Sequence, residues 1–204
     1  FLQDMQVVSV FATADIHGNY IPYTSSDGKF EIGSVARIKT VMNEVEARLG
    51  EDHVIYVDGG DSPYNTTLAN VSMGNVSVDA LSALGLDATV LGNHDFDYSL
   101  ENLLRLRDRA QYAMLSANTK FKEGKVYAGE KEYPFGDYIT KEAAGLKFGI
   151  FGVTDDQSAA TTLYSNTYDI EWDDDLTTAK TLVSRLKDEE SCDVVIALSH
   201  VHSK

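Results

Sequence analysis

Apolar, β-branched runs recur along the chain at MQVVSVFAT (5–13), HVIYVDG (53–59), DATVLG (87–92), YAMLSA (112–117), LKFGIFGV (146–153) and DVVIALS (193–199). Short runs with so little polar interruption predict strands covered on both faces. Between them the spacing changes. GSVARIKTVMNEVEARLG (33–50) sets Val35, Ile38, Val41, Met42, Val45 and Leu49 at helical intervals and stops at Gly50. NVSVDALSALG (75–85) and SLENLLRLRDRA (99–110) repeat the pattern, the second with Ser99 placed as an N-cap. WDDDLTTAKTLVSRLKDEE (172–190) reads as a further helix with its acids at the positive end of the dipole. Calcium binding by those acids would call for a glycine-containing ligand loop, which the run lacks. The segment 118–145, rich in Lys, Glu, Gly and Tyr, is expected to form a hairpin or an excursion. Strands alternating with helices predict an α/β layered domain over 1–204, with no internal repeat.

Composition narrows the partners more than the fold. At 204 residues and 43% hydrophobic, the chain can bury a substantial core. No apolar run approaches the roughly 20 residues that span a bilayer, so no transmembrane segment is expected. A net charge of −15 makes nucleic-acid polymers poor partners, because an acidic surface repels a polyanion. Two divalent cations would offset about four units of that charge if the carboxylates converged. Cys192 is the only cysteine, which excludes an internal disulfide framework and a cysteine zinc cluster. Its place at the start of an apolar run favours a small buried residue.

The chemistry-bearing residues stand at the ends of the predicted strands, where open α/β sheets collect ligands. ADIHGN carries Asp15 and His17, VDGGDSP carries Asp58 and Asp61, LGNHDFD carries Asn93, His94, Asp95 and Asp97, and LSHVH carries His200 and His202. Each ending alone has a bland reading as a polar turn or strand cap. Carboxylate, carboxylate, amide and imidazole on successive strands are not expected of independent turns, and together they point to a metal site. Gly18 is expected to let its loop turn close to that site.

DIHG, GGD, GNHDFD and LSH, in this order, resemble the sequence blocks of the calcineurin-like metallophosphoesterase superfamily. LGNHDFDYS, VDALSALGLDATV and LSANT resemble its branch of 5′-nucleotidases and 2′,3′-cyclic-nucleotide 2′-phosphodiesterases. The resemblance runs through nearly the whole chain. It implies a four-layer α-β-β-α sandwich of the metallo-dependent phosphatase type, with two divalent ions of Mn, Zn, Fe or Co at one edge. Carried over residue by residue, Asp15 and His17 would ligate the first metal, Asp61 would bridge both, and Asn93 and His200 would ligate the second. A carboxylate can give one oxygen to each of two cations ~3.5–4 Å apart, and a metal-activated hydroxide would attack the phosphate ester. His94 would face the phosphate without binding metal, its ring oriented by Asp97. Asp95 and Asp58 are expected to support the loops through hydrogen bonds, and His53 to be an exposed polar residue.

The superfamily completes its site with a Gly-His-x-His block. The sequence reaches Lys204 without one, so the resemblance implies a catalytic domain cut before its last ligands, inactive or partly metallated by itself. His202 is a neighbour of the site or an ordinary strand-end residue. The branch also carries a C-terminal substrate-binding domain, expected to be missing here, and acts outside the cytoplasm, as a secreted, wall-associated or periplasmic protein. The expected substrate is a small nucleotide. The competing readings are a related dinuclear hydrolase of another ester and a catalytically silent surface binding module.

Overall fold

The computed structural model describes residues 6–201. The first half contains β1 (Ser9–Thr13), β2 (Tyr23–Thr24), β3 (Glu31–Ile32), α1 (Val35–Leu49), β4 (Val54–Asp58), α2 (Thr67–Val71), α3 (Asn75–Leu84) and β5 (Ala88–Val90). Then follow α4 (Leu100–Arg109), β6 (Ala113–Leu115), β7 (Thr119–Phe121), β8 (Tyr138–Ala143) and β9 (Leu146–Thr154). The last elements are α5 (Ser158–Thr161), α6 (Tyr164–Thr167), β10 (Ile170–Trp172), α7 (Asp175–Ser184) and β11 (Val194–His200). All six apolar runs contain strands, and all four amphipathic segments contain helices. The last of these helices starts after Trp172, which ends β10. Asp174 caps it by accepting the Thr177 N–H at 2.7 Å.

Four of the strands form a wholly parallel sheet in the order β1-β4-β5-β6. A second sheet has the order β11-β9-β8, with β11 parallel and β8 antiparallel to β9. The sheets face each other across a core that includes Ile55, Val57, Val90 and Leu115 from one and Phe148, Ile150 and Leu198 from the other. On the outer face of the first sheet, Tyr56 packs with Met42 of α1 and Leu81 and Leu84 of α3. On the outer face of the second, Phe151 and Val153 meet Leu182 and Leu186. The layers are therefore helix, sheet, sheet and helix. Every residue of β4 is buried, as a strand covered on both faces requires.

Between the layers, Gly152 brings β9 against β6: a Cβ there would lie 2.6 Å from the Leu115 Cβ. Polar groups also cross the interface. Asn118 donates to the Thr154 carbonyl at 2.7 Å and accepts the Thr154 N–H at 2.9 Å. The Thr154 hydroxyl donates to the Leu91 carbonyl at 2.7 Å. These bonds fix the end of β9 beside the end of β5, so the carboxyl ends of both sheets share one edge.

Of the two alternatives for 118–145, the excursion holds, because its strands do not pair with each other: β7 pairs with β10, and β8 pairs antiparallel with β9. One expectation changes. Val41 does not join the buried stripe of α1 and is 51% exposed, while Met42 beside it is buried.

Candidate metal centre

The loops leaving β1 and β4 are zipped together by their backbones. The N–H groups of Asp15, His17 and Gly18 donate to the carbonyls of Gly60, Asp61 and Ser62 at 3.0, 3.1 and 2.9 Å. Asp15, His17 and Asp61 take left-handed backbone angles, with φ of 52°, 48° and 56°. Each such residue costs about 1–2 kcal/mol, and strain of this kind concentrates at functional sites. Gly18 shares the left-handed turn, and a Cβ there would lie 2.5 Å from the Thr66 hydroxyl.

With the end of β11, these loops bring three of the predicted side chains together at the sheet edge. Asp15, Asp61 and His200 each offer a ligand atom, all within 4.8 Å of one another. Asp61, only 3% exposed, accepts the His94 N–H on Oδ1 at 2.8 Å and faces His200 Nε2 with Oδ2 at 3.3 Å. Burial acts to raise the Asp61 carboxyl, but the hydrogen bond and charge of His200 and the His94 N–H hold it below the ordinary range. The same bond to Asp61 pushes His200 up to about 9, against its burial. His17 lies against Asp15, with Nε2 3.7 Å from Oδ1. Asn93 is buried, and its amide nitrogen donates to the Thr161 carbonyl at 3.2 Å, which leaves the amide oxygen as the atom a cation would take.

The donor set fits a divalent cation. His200 commits Nδ1 to the Gly59 carbonyl at 2.7 Å, the arrangement that orients an imidazole for coordination through Nε2. His17 Nδ1 is buried without a hydrogen-bond partner among the described residues. Carboxylates, imidazoles and an amide oxygen suit Mn, Zn, Fe or Co. Close packing reserves the space: a Cβ on Gly92 would lie 2.2 Å from Asp61 Oδ1 and 2.8 Å from His200 Cε1.

The two other acids of the GNHDFD block have different surroundings. Asp97 Oδ2 lies 2.6 Å from His94 Nδ1, so the histidine is paired with Asp97. Asp95 is buried and accepts the N–H groups of Asp61 and Gly92 at 2.9 and 2.7 Å. Burial, with the nearby Asp61 charge, pushes its carboxyl up to about 7. Asp58 also serves the scaffold. Its carboxylate accepts Thr13 Oγ1, the Gly60 N–H, Ser62 Oγ and Thr89 Oγ1 at 2.6, 3.0, 2.9 and 2.9 Å. His53, expected to be exposed, is half-buried with Nδ1 2.6 Å from the Val7 carbonyl. His202 lies outside the described residues.

Residues 8–204 match the profile of the calcineurin-like phosphoesterases. The chain belongs to the calcineurin-like phosphoesterase family. A 5′-nucleotidase of Vibrio vulnificus (strain CMCP6) is 28% identical over 196 residues, covering 95% of this chain and 34% of its own. The 5′-nucleotidase of Bos taurus is 30% identical over 207 residues, covering 95% and 33%. The chain thus spans about a third of the length of the curated relatives it matches. Among solved structures, a 5′-nucleotidase precursor from Thermus thermophilus superposes with a TM-score of 0.80 at 24% identity, covering 95% of this chain and 37% of that one. The sulfate thiohydrolase SoxB of the same organism gives 0.80 at 15%, covering 94% and 43%. Likeness at these identities carries the four-layer fold. No helix among the described residues is long and apolar enough to cross a membrane.

Within this member of the family, the segment 161–166 braces the site and carries no motif that marks it in the sequence. Besides the Thr161 carbonyl on Asn93, the Thr162 hydroxyl donates to Asp97 Oδ1 at 3.0 Å, and Asn166 donates to the Asp97 carbonyl at 2.9 Å. Thr13 and Thr89, which grip Asp58, sit inside runs that read only as strand.

Proposed function

We propose that the protein hydrolyses phosphate esters of nucleotides, as a 5′-nucleotidase or a 2′,3′-cyclic-nucleotide phosphodiesterase. In this reading Asp15, His17 and Asp61 would hold one divalent cation, and Asp61, Asn93 and His200 would hold a second. The carrying observation is the convergence of Asp15, Asp61 and His200 within 4.8 Å, with the paired His94 joined to Asp61 by its own backbone N–H. When bound, the cations supply Lewis-acid activation of water and neutralise phosphoryl charge. The chain's own residues orient and protonate. Asp97 and the braced loop hold His94 Nδ1, which leaves Nε2 to hydrogen-bond a phosphoryl oxygen or to pass a proton to the leaving group. The His94 side chain is 36% exposed, enough for a substrate to reach it. Asp95 and Asp58 keep the ligand loops in register.

The proposal concerns the whole protein. Residues 1–204 act as its catalytic domain, completed by the Gly-His-x-His ligands and a substrate-binding domain that the resemblance implies. The nucleotide preference rests on the named relatives, and action outside the cytoplasm rests on the resemblance to the nucleotidase branch. The test is phosphate release by the metal-stripped whole protein from nucleoside monophosphates, cyclic nucleotides and sugar phosphates, before and after adding manganese or zinc. Nucleotide turnover should return with metal and fall by about 10²–10⁴ in His94→Ala. No release from any ester would refute hydrolysis, and equal rates on sugar phosphates would refute the substrate class.

A further inference from the structure

Beside the proposed site, the ring of Tyr64 lies parallel to the His94 imidazole, with centroids 5.4 Å apart and 1° between the planes. His17 meets the same imidazole edge-on at 5.3 Å and 71°. A hydrogen bond from Nδ1 to Asp97 fixes one point of the ring but leaves it free to roll about that contact. A flat aromatic surface against the face stops the roll. Tyr64 is itself held from behind. Tyr98 leans on it at 5.6 Å and 59°, and the Tyr98 hydroxyl donates to Asn70 Oδ1 at 2.7 Å. That oxygen also accepts the N–H of Asn65 at 3.2 Å. Asn65 has φ of 99°, a strained angle for a residue with a Cβ, so the loop bearing Tyr64 is pinned in an unusual conformation. Among the described residues, no hydrogen bond to the protein involves the Tyr64 hydroxyl.

We infer that Tyr64 is a positioning residue for His94: its ring, braced by Tyr98 and Asn70, sets the plane of the imidazole and so the direction of Nε2. This rests on the reading above, in which His94 acts on the phosphoryl group. It adds a residue outside the ligand blocks, and it assigns the role to the aromatic face and none to the hydroxyl. A small misdirection of a reacting group costs up to about 10²-fold in rate.

The test uses the whole protein with manganese and compares Tyr64→Phe, Tyr64→Leu and Tyr98→Leu. Tyr64→Phe keeps the stack and should hold kcat within about twofold, whereas Tyr64→Leu should lower kcat by about tenfold or more with KM little changed. Tyr98→Leu removes only the brace and should give an intermediate loss. A second readout needs no turnover. In protein labelled with carbon-13 histidine, the His94 ring resonances, assigned by their loss in His94→Gln, should stay in place in Tyr64→Phe and move in Tyr64→Leu. Wild-type kcat in Tyr64→Leu, equal losses in Tyr64→Phe and Tyr64→Leu, or unmoved His94 resonances in Tyr64→Leu would each overturn the inference. Absence of hydrolysis by the wild-type protein would remove the functional reading, and this inference with it. Hydrolysis that is indifferent to the Tyr64 ring would remove this inference alone.

Discussion

Replacing Asp58 separates two properties of a buried carboxylate, its charge and its oxygens. Asp58 is 0% exposed, and burial raises its pKa. Its four donors come from β1 (Thr13), β5 (Thr89) and the loop that carries Asp61 (Gly60 and Ser62). Asp58→Ala removes an acceptor from three hydroxyls and one backbone N–H. Each lost bond to a charged acceptor is worth about 1.5–3 kcal/mol, and a buried N–H left unpaired costs about 1–3 kcal/mol. Two effects offset this loss. The desolvated charge disappears, and Thr89 has a second acceptor in the Val90 carbonyl at 3.0 Å. The net expectation is a loss of about 3–5 kcal/mol. Asp58→Asn should cost only about 1 kcal/mol. Its oxygen can keep the three bonds now made to Oδ1, and the Thr13 hydroxyl can turn to accept from the new amide. Urea unfolding of both variants gives the two numbers. A loss below about 1 kcal/mol for Asp58→Ala, or equal losses for the two, would refute the assignment of Asp58 as the acceptor that joins the strand ends.

Gly92→Ala should drive the Asp61 carboxylate and His200 out of position and lower manganese affinity by about 10–100-fold, read by calorimetric titration. Ser99 accepts the Asn102 N–H at 3.2 Å, and Ser99→Ala should cost about 1 kcal/mol in urea unfolding without changing metal affinity. Thr162→Val removes the hydroxyl from Asp97 at nearly constant volume. It should lower kcat by about tenfold and leave the metal titration unchanged, since Thr162 touches the histidine pair and no proposed ligand.

The parts of the fold that were legible in the sequence are those where one local pattern meets one environment. β4 reads as a strand buried on both faces because VIYVD has no polar interruption before its final aspartate, and α4 reads as a helix because Ser99 caps a regular apolar stripe. The pairing of β7 with β10 is not legible in the sequence, because Thr119 and its partner Trp172 stand far apart along the chain and neither strand exceeds three residues. The β2–β3 ribbon escaped for a related reason: its two-residue strands are exposed and show no alternation. At the site, carboxylates, an amide and imidazoles at successive strand ends marked the region, Asp58, Asp95 and His202 among them, and it took the resemblance to single out Asp15, His17, Asp61, Asn93 and His200 as ligands. The choice of Asp97 over Asp95 as the partner of His94 needed the resemblance, since both acids lie within one turn. Thr162, Asn166 and Tyr64 act through packing and single hydrogen bonds from loops, and such contacts leave no periodic trace.

The proposed function depends on a dinuclear centre built on Asp61. Anomalous diffraction from crystals of the whole protein grown with manganese tests it most directly. Two peaks are expected flanking the Asp61 carboxylate, one beside Asp15 and His17 and the other beside Asn93 and His200. Crystals with manganese bound elsewhere and no peak at Asp61 would contradict the dinuclear centre.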